Sequence, residues 1–110
     1  MERRSQLLKG VLDMCLLALI AEEPSYGYEM VEKLQARGLS LVSEGSIYPL
    51  LSRLQKQKLV EGYMVASSGG PPRKYYRVME EGRKRLAEWA TDWKRMSDGV
   101  NEILNGELID

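Results

Sequence analysis

Four stretches of helical periodicity and one of strand alternation organise the chain. From Leu7 to Ala21 the apolar residues Leu7, Leu8, Val11, Leu12, Cys15, Leu16 and Leu19 recur at helical spacing. Met14, Leu17, Ala18 and Ile20 widen that stripe almost all round, which predicts a central, buried helix. Pro24 disfavours helical geometry at Glu23 and ends it. Ser25 then offers an N-cap for a second helix running to about Arg37, with Gly27, Met30, Val31 and Leu34 facing inward. Gly38 is a natural stop for that helix, and Leu39 to Val42 make a short connector. A third helix lies between Ser43 and about Gln57, capped by Ser43 or Ser46, with Ile47, Leu50, Leu51 and Leu54 buried. Pro49 costs that helix little if Ser46 is the cap.

Strand signals follow. Val60 to Ala66 alternates in polarity and Lys74 to Met79 is rich in strand formers, with the turn sequence Ser67-Ser68-Gly69-Gly70-Pro71-Pro72-Arg73 between them. The pattern predicts a two-stranded hairpin with a long tip. A last helix runs from about Glu80 to Asn105, about 40 Å at about 1.5 Å per residue. Along it Leu86, Trp89, Trp93, Met96, Val100 and Ile103 keep an alternating three-and-four spacing, nearly three heptads of an a/d seam.

Composition narrows the chemistry. The chain has 110 residues, enough for one core, and no histidine. A Ser–His–Asp triad, a Cys–His dyad and a His-ligated zinc are therefore excluded within it, and no cofactor, metal site or enzyme activity is expected. Cys15 is a lone cysteine, so no internal disulfide forms, in keeping with a reducing, cytoplasmic setting. No signal-peptide pattern opens the chain, and the longest apolar run, Met14 to Ala21, is too short to span a bilayer. Net charge is zero, with 16 basic and 16 acidic residues. That neutrality conceals a split, since residues 1–85 carry 14 basic and 10 acidic side chains and residues 86–110 carry 2 and 6.

Short helices followed by a hairpin make the layout of a winged helix-turn-helix, mainly α in an α+β class, in which the third helix enters the DNA major groove. The third helix suits that role. Gly45 and Pro49 permit close approach, Ser46, Ser52, Arg53 and Lys56 offer donors, and no acid occurs between Gly45 and Gln57. Arg73 and Lys74 at the hairpin tip suit phosphate or minor-groove contact, with Arg77 a weaker candidate in mid-strand. The plain alternative is that these cations only protect a strand edge. Tyr26, Tyr28 and Tyr48, at the starts of the second and third helices, either hold phosphate oxygens or pack with their hydroxyls in water. The last helix is too long for the winged helix to cover, so the seam predicts a homodimer. Residues 1–79 are expected to form the DNA-binding domain and residues 80–110 a dimerisation helix with a short tail.

These residues resemble the PadR family of bacterial transcriptional regulators. The resemblance rests on Ser25-Tyr26-Gly27-Tyr28-Glu29, on Gly45-Ser46-Ile47-Tyr48-Pro49-Leu50-Leu51-Ser52-Arg53-Leu54, and on Gly70-Pro71-Pro72-Arg73-Lys74-Tyr75-Tyr76-Arg77 followed by Glu81-Gly82. It implies a homodimeric repressor on a near-palindromic double-stranded operator. The single C-terminal helix resembles a compact subgroup with multidrug-responsive members. In that subgroup a residue matching Trp93 flanks a ligand pore at the dimer axis and one matching Met14 lines it. The resemblance thus nominates Trp93, Trp89, Met14 and Met96 for a planar aromatic effector. The family usually has Gly where Lys58 stands and Thr where Met79 stands. Two other readings stay open: a winged helix that binds proteins, and a DNA-binding repressor with no small-molecule ligand.

Overall fold

A computed structural model describes residues 3–109. Met1, Glu2 and Asp110, at the outer ends of the two expected units, lie outside the described residues. The elements run α1 (Arg3–Lys9), α2 (Leu12–Glu22), β1 (Ser25–Tyr26), α3 (Gly27–Ala36), α4 (Glu44–Lys56), β2 (Val60–Val65), β3 (Arg73–Val78) and α5 (Glu80–Ile109).

Some of the expected boundaries change, and the open choice of cap for the third helix is decided. The first helix is two, because the chain turns at Gly10 and Val11 through short bonds from Gly10 N–H to the Leu7 carbonyl and from Val11 N–H to the Leu8 carbonyl. Glycine is among the poorest helix formers, so the break falls where propensity is lowest. Ser25 does not cap the second helix. It pairs with Tyr76 across β3 while Tyr26 pairs with Tyr75, so the sheet has three strands in the order β1-β3-β2 and Tyr26 takes the N-cap position. The extended geometry that Pro24 imposes on Glu23 carries straight into β1. Ser25 is fully buried; its hydroxyl donates to the Glu23 carbonyl at 3.1 Å and accepts from Lys33 Nζ at 2.9 Å. In α4 the cap position belongs to Ser43, whose hydroxyl lies 2.9 Å from that of Ser46. Pro49 therefore sits past the first turn and leaves the Gly45 carbonyl without its helical donor. Gly45 is exposed, so this gap in the helix ladder faces solvent and not the core.

The core lies where α2, α3 and α4 meet the inner face of the sheet, with Leu16, Leu17, Met30, Ile47, Leu51 and Leu59 without exposed surface. Both helix ends flanking the α3–α4 unit close in the same way. After α3, Gly38 N–H bonds the Gln35 carbonyl and Leu39 N–H bonds the Leu34 carbonyl; after α4, Lys58 N–H bonds Gln55 and Leu59 N–H bonds Leu54. This Schellman pattern needs a left-handed residue, and Gly38 (φ 97°) and Lys58 (φ 61°) supply it. The Leu59 carbonyl in turn accepts from Met79 N–H at 2.9 Å, and a Cβ on Gly82 would collide with that carbonyl. The start of α5 is thus fastened to the end of α4.

α5 has 30 residues, about 45 Å, and extends a few residues past Asn105. It makes the molecule elongated: the whole chain measures 59 × 29 × 21 Å with a radius of gyration of 16.1 Å. A compact chain of this length would have a radius near ~13 Å. No helix among the described residues is long and apolar enough to cross a membrane.

Candidate nucleic-acid interface

The face of α4 opposite its buried stripe is built from small and basic residues. Ile47, Leu51 and Leu54 turn inward and Leu50 is half-buried, whereas Gly45, Ser46, Pro49, Ser52, Arg53 and Lys56 are exposed. Among the described residues neither Arg53 nor Lys56 pairs with a carboxylate.

The strand register decides what the wing presents. Successive residues of β3 point to opposite faces, so Arg73, Tyr75 and Arg77 share one face and Lys74, Tyr76 and Val78 the other. Arg73 and Lys74, neighbours in sequence, therefore diverge. Lys74 lies on the α4 side: its Nζ is 5.4 Å from the Tyr76 ring centroid, and both it and Gln55 Oε1 come within 3.3 Å of where a Gly62 side chain would begin. Arg73 turns to the outer face, stacks 4.6 Å over Tyr26 and donates from Nη1 to the Tyr26 hydroxyl at 3.2 Å. Tyr26 meets Tyr75 edge-on at 5.2 Å, and Tyr75 lies 6.0 Å from Tyr63. Arg77 closes that row over Tyr63 but is tied to Glu61, so its charge is already answered.

Tyr28, in the first turn of α3, is exposed. Tyr48 is partly exposed, and its ring crosses Gly27 so closely that a Cβ there would fall 2.8 Å from the hydroxyl oxygen. That hydroxyl donates to Glu44 Oε2 at 2.8 Å, and the bond pushes the Tyr48 phenol above its ordinary range. Burial does the same to Tyr76. Glu44 is the residue of this face that residue patterns did not single out. Its position before Gly45 was visible, but only the rotamers of Glu44 and Tyr48 bring their side chains together.

The seam of α5 divides in two. Leu86 and Trp89 are half-buried and pack on the chain's own core, so these two are not simply waiting for a partner. Trp93, Met96, Val100 and Ile103 are 47%, 64%, 48% and 69% exposed. Beside them, between α5 and the α1–α2 corner, opens a groove of about 690 Å³ lined by Leu7, Leu8, Val11, Met14, Trp93 and Met96, among others. Trp89 borders a smaller adjoining recess of about 270 Å³ that Met14, Trp93 and Met96 also line. Met14, Trp89, Trp93 and Met96 are thereby brought together. Cys15 also edges the groove, its thiol pushed up by burial and by nearby Asp13.

Comparison with known proteins adds identity to this geometry. The profile of the transcriptional regulator PadR-like family matches residues 16–88, from inside α2 into α5. The chain is similar to a PadR-like transcriptional regulator from Bacillus cereus, with 52% identity, 90% of this chain and 96% of that one covered, and a TM-score of 0.81. A Streptococcus transcriptional regulator is 42% identical over 89% of this chain and 96% of its own, with a TM-score of 0.78. At 20% identity the chain shares the fold of Bacillus subtilis PadR, whose structure is a complex with operator DNA, over 73% of this chain and 46% of that one at a TM-score of 0.66.

Proposed function

The chain belongs to the PadR-like family of transcriptional regulators, whose members are regulators and not enzymes, and on that premise we propose that it is a homodimeric repressor of operator DNA. Residues 1–79 are the DNA-binding unit and residues 80–110 the dimerisation helix with its tail. The carrying observation is the face of α4 from Gly45 to Lys56, exposed, free of acids and bearing Arg53 and Lys56 without ionic partners among the described residues.

In this reading α4 enters the major groove. Arg53, Lys56, Ser46 and Ser52 offer donors to base edges and phosphates. Lys74 reaches the backbone from the α4 side of the wing. Arg73, braced by Tyr26, reaches it from the outer side, and the Tyr26 hydroxyl keeps its own proton to donate because it accepts from Arg73. Tyr28 and Tyr48 add hydroxyls at the starts of α3 and α4. A second copy brings a second α4 to the next major groove, about 34 Å along the duplex.

The partner's α5 is the natural occupant of the exposed seam at Trp93, Met96, Val100 and Ile103. What space it leaves beside Met14, Trp89, Trp93 and Met96 suits a planar aromatic effector, whose entry would change the angle between the two DNA-binding units. The same groove favours a second reading, in which the partner helix fills it and no small molecule enters.

Binding to a duplex from the gene's own promoter tests the DNA surface. Arg53→Ala is expected to weaken it about tenfold or more, and Lys74→Ala to reduce the salt slope by about 1. Unchanged affinity and slope for both would remove the assigned surface and leave a winged helix that binds proteins.

A further inference from the structure

Two tyrosines at the front of the helix-turn-helix hold their hydroxyl protons in opposite ways. The Tyr26 hydroxyl accepts from Arg73, whereas the Tyr48 hydroxyl donates to Glu44. A phenol has one proton to give, so Tyr48 in this state can only accept. A DNA phosphate is also only an acceptor. Tyr48 and a phosphate therefore cannot bond until Glu44 lets go.

The place of Glu44 sharpens the conflict. It is the first residue of α4 and its only acid. The hydroxyl it grips lies over Gly27, the first residue of α3. Free N–H groups at a helix start together with a hydroxyl make a site that favours an anion. Here the hydroxyl is already held by an anion of the chain's own, the Glu44 carboxylate. Stabilising the start of α4 would need only a carboxylate near its first turn. It would not need that carboxylate on the hydroxyl of Tyr48.

Resting on the DNA-binding reading above, we infer that Glu44 is a specificity-determining residue: its carboxylate occupies a backbone-phosphate position and withholds the Tyr48 proton. On a duplex that satisfies α4, base contacts offset the swing of this exposed side chain away from Tyr48. On an unrelated duplex nothing offsets it, and the carboxylate stays to repel the backbone. Specificity gained this way comes from weakening the wrong complex.

The test uses the full-length protein, a promoter duplex and an unrelated duplex of equal length, at several salt concentrations. Glu44→Ala is expected to bind the unrelated duplex about tenfold tighter with a salt slope steeper by about 0.9, and the promoter duplex only about threefold tighter. Glu44→Gln, which keeps an acceptor without the charge, falls between. In the Glu44→Ala background Tyr48→Phe reverses part of the gain on the unrelated duplex, and it costs less affinity where Glu44 is present. Thermal melts followed by circular dichroism check that each variant is folded. Folded Glu44→Ala and Glu44→Gln proteins that bind the unrelated duplex no tighter than the parent overturn the inference. An equal effect of Tyr48→Phe in both backgrounds overturns it too. Arg53→Ala in the same assay separates the two levels. If it weakens binding while Glu44→Ala tightens nothing, only the role of Glu44 fails. If Arg53→Ala binds like the parent, or the parent binds neither duplex, the DNA reading fails and takes the inference with it.

Discussion

At the scale of single residues, Lys58 shows how backbone geometry can override side-chain preference. The Schellman closure after α4 requires a left-handed residue, and lysine takes it at φ 61°, where a Cβ crowds the following carbonyl oxygen. The neighbours hold it there: Leu59 is fully buried beneath it, and the Leu59 carbonyl receives Met79 N–H. Lys58→Gly is expected to stabilise the fold by about 1 kcal/mol, read as a higher urea midpoint with an unchanged slope. A lower midpoint would mean that the lysine side chain contributes more than its backbone costs. The residue scale also separates cations that look alike along the chain. Arg77 is neutralised by Glu61, Arg73 is braced on Tyr26, and Lys74 faces α4. Strand alternation assigns their faces, but only the fold says what stands opposite each one.

Among the elements, α4 and α5 were the most legible, because each carries a long, unbroken period. The α4 pattern gave both its buried stripe and its small, basic outer face. The α5 seam was equally regular, yet the structure divides it at the point where the chain's own core ends. Leu86 and Trp89 pack inward, and the exposed remainder from Trp93 to Ile103 is the part that needs a partner. Ile103, 69% exposed near the far end, is a clean probe of that need. Ile103→Glu is expected to move the protein from dimer to monomer in sedimentation velocity with its helix content largely kept. A variant that stays dimeric would place the interface elsewhere. Shorter elements were illegible for a physical reason. A two-residue strand such as β1 has no period, and what makes it a strand is the free edge of β3, which arrives from far along the chain at Tyr75 and Tyr76.

For the whole molecule, the neutral net charge resolves into two surfaces. The basic excess of residues 1–85 includes the α4 face and the wing, and the acidic excess of residues 86–109 lies on α5. Averaging over the chain hid an arrangement that suits one end to a polyanion. The groove between α5 and the α1–α2 corner is likewise a property of the assembled fold. If an effector enters beside Trp93, titration with a panel of planar aromatic compounds should quench tryptophan fluorescence in the parent protein and far less in Trp93→Ala. Flat titrations across the panel would favour the repressor whose groove is filled by its partner alone.

By itself the amino-acid sequence determined the order of the main helices, the hairpin, the polarity of α4 and the absence of histidine chemistry. All of these follow from periods and from residue types that local geometry cannot disguise. Tertiary structure alone decided the third strand, the division of the α5 seam and the meeting of Glu44 with Tyr48 over Gly27. Each of these depends on which surfaces of distant segments come to lie within a few ångströms, and periodicity along one segment carries no record of what lies across from it.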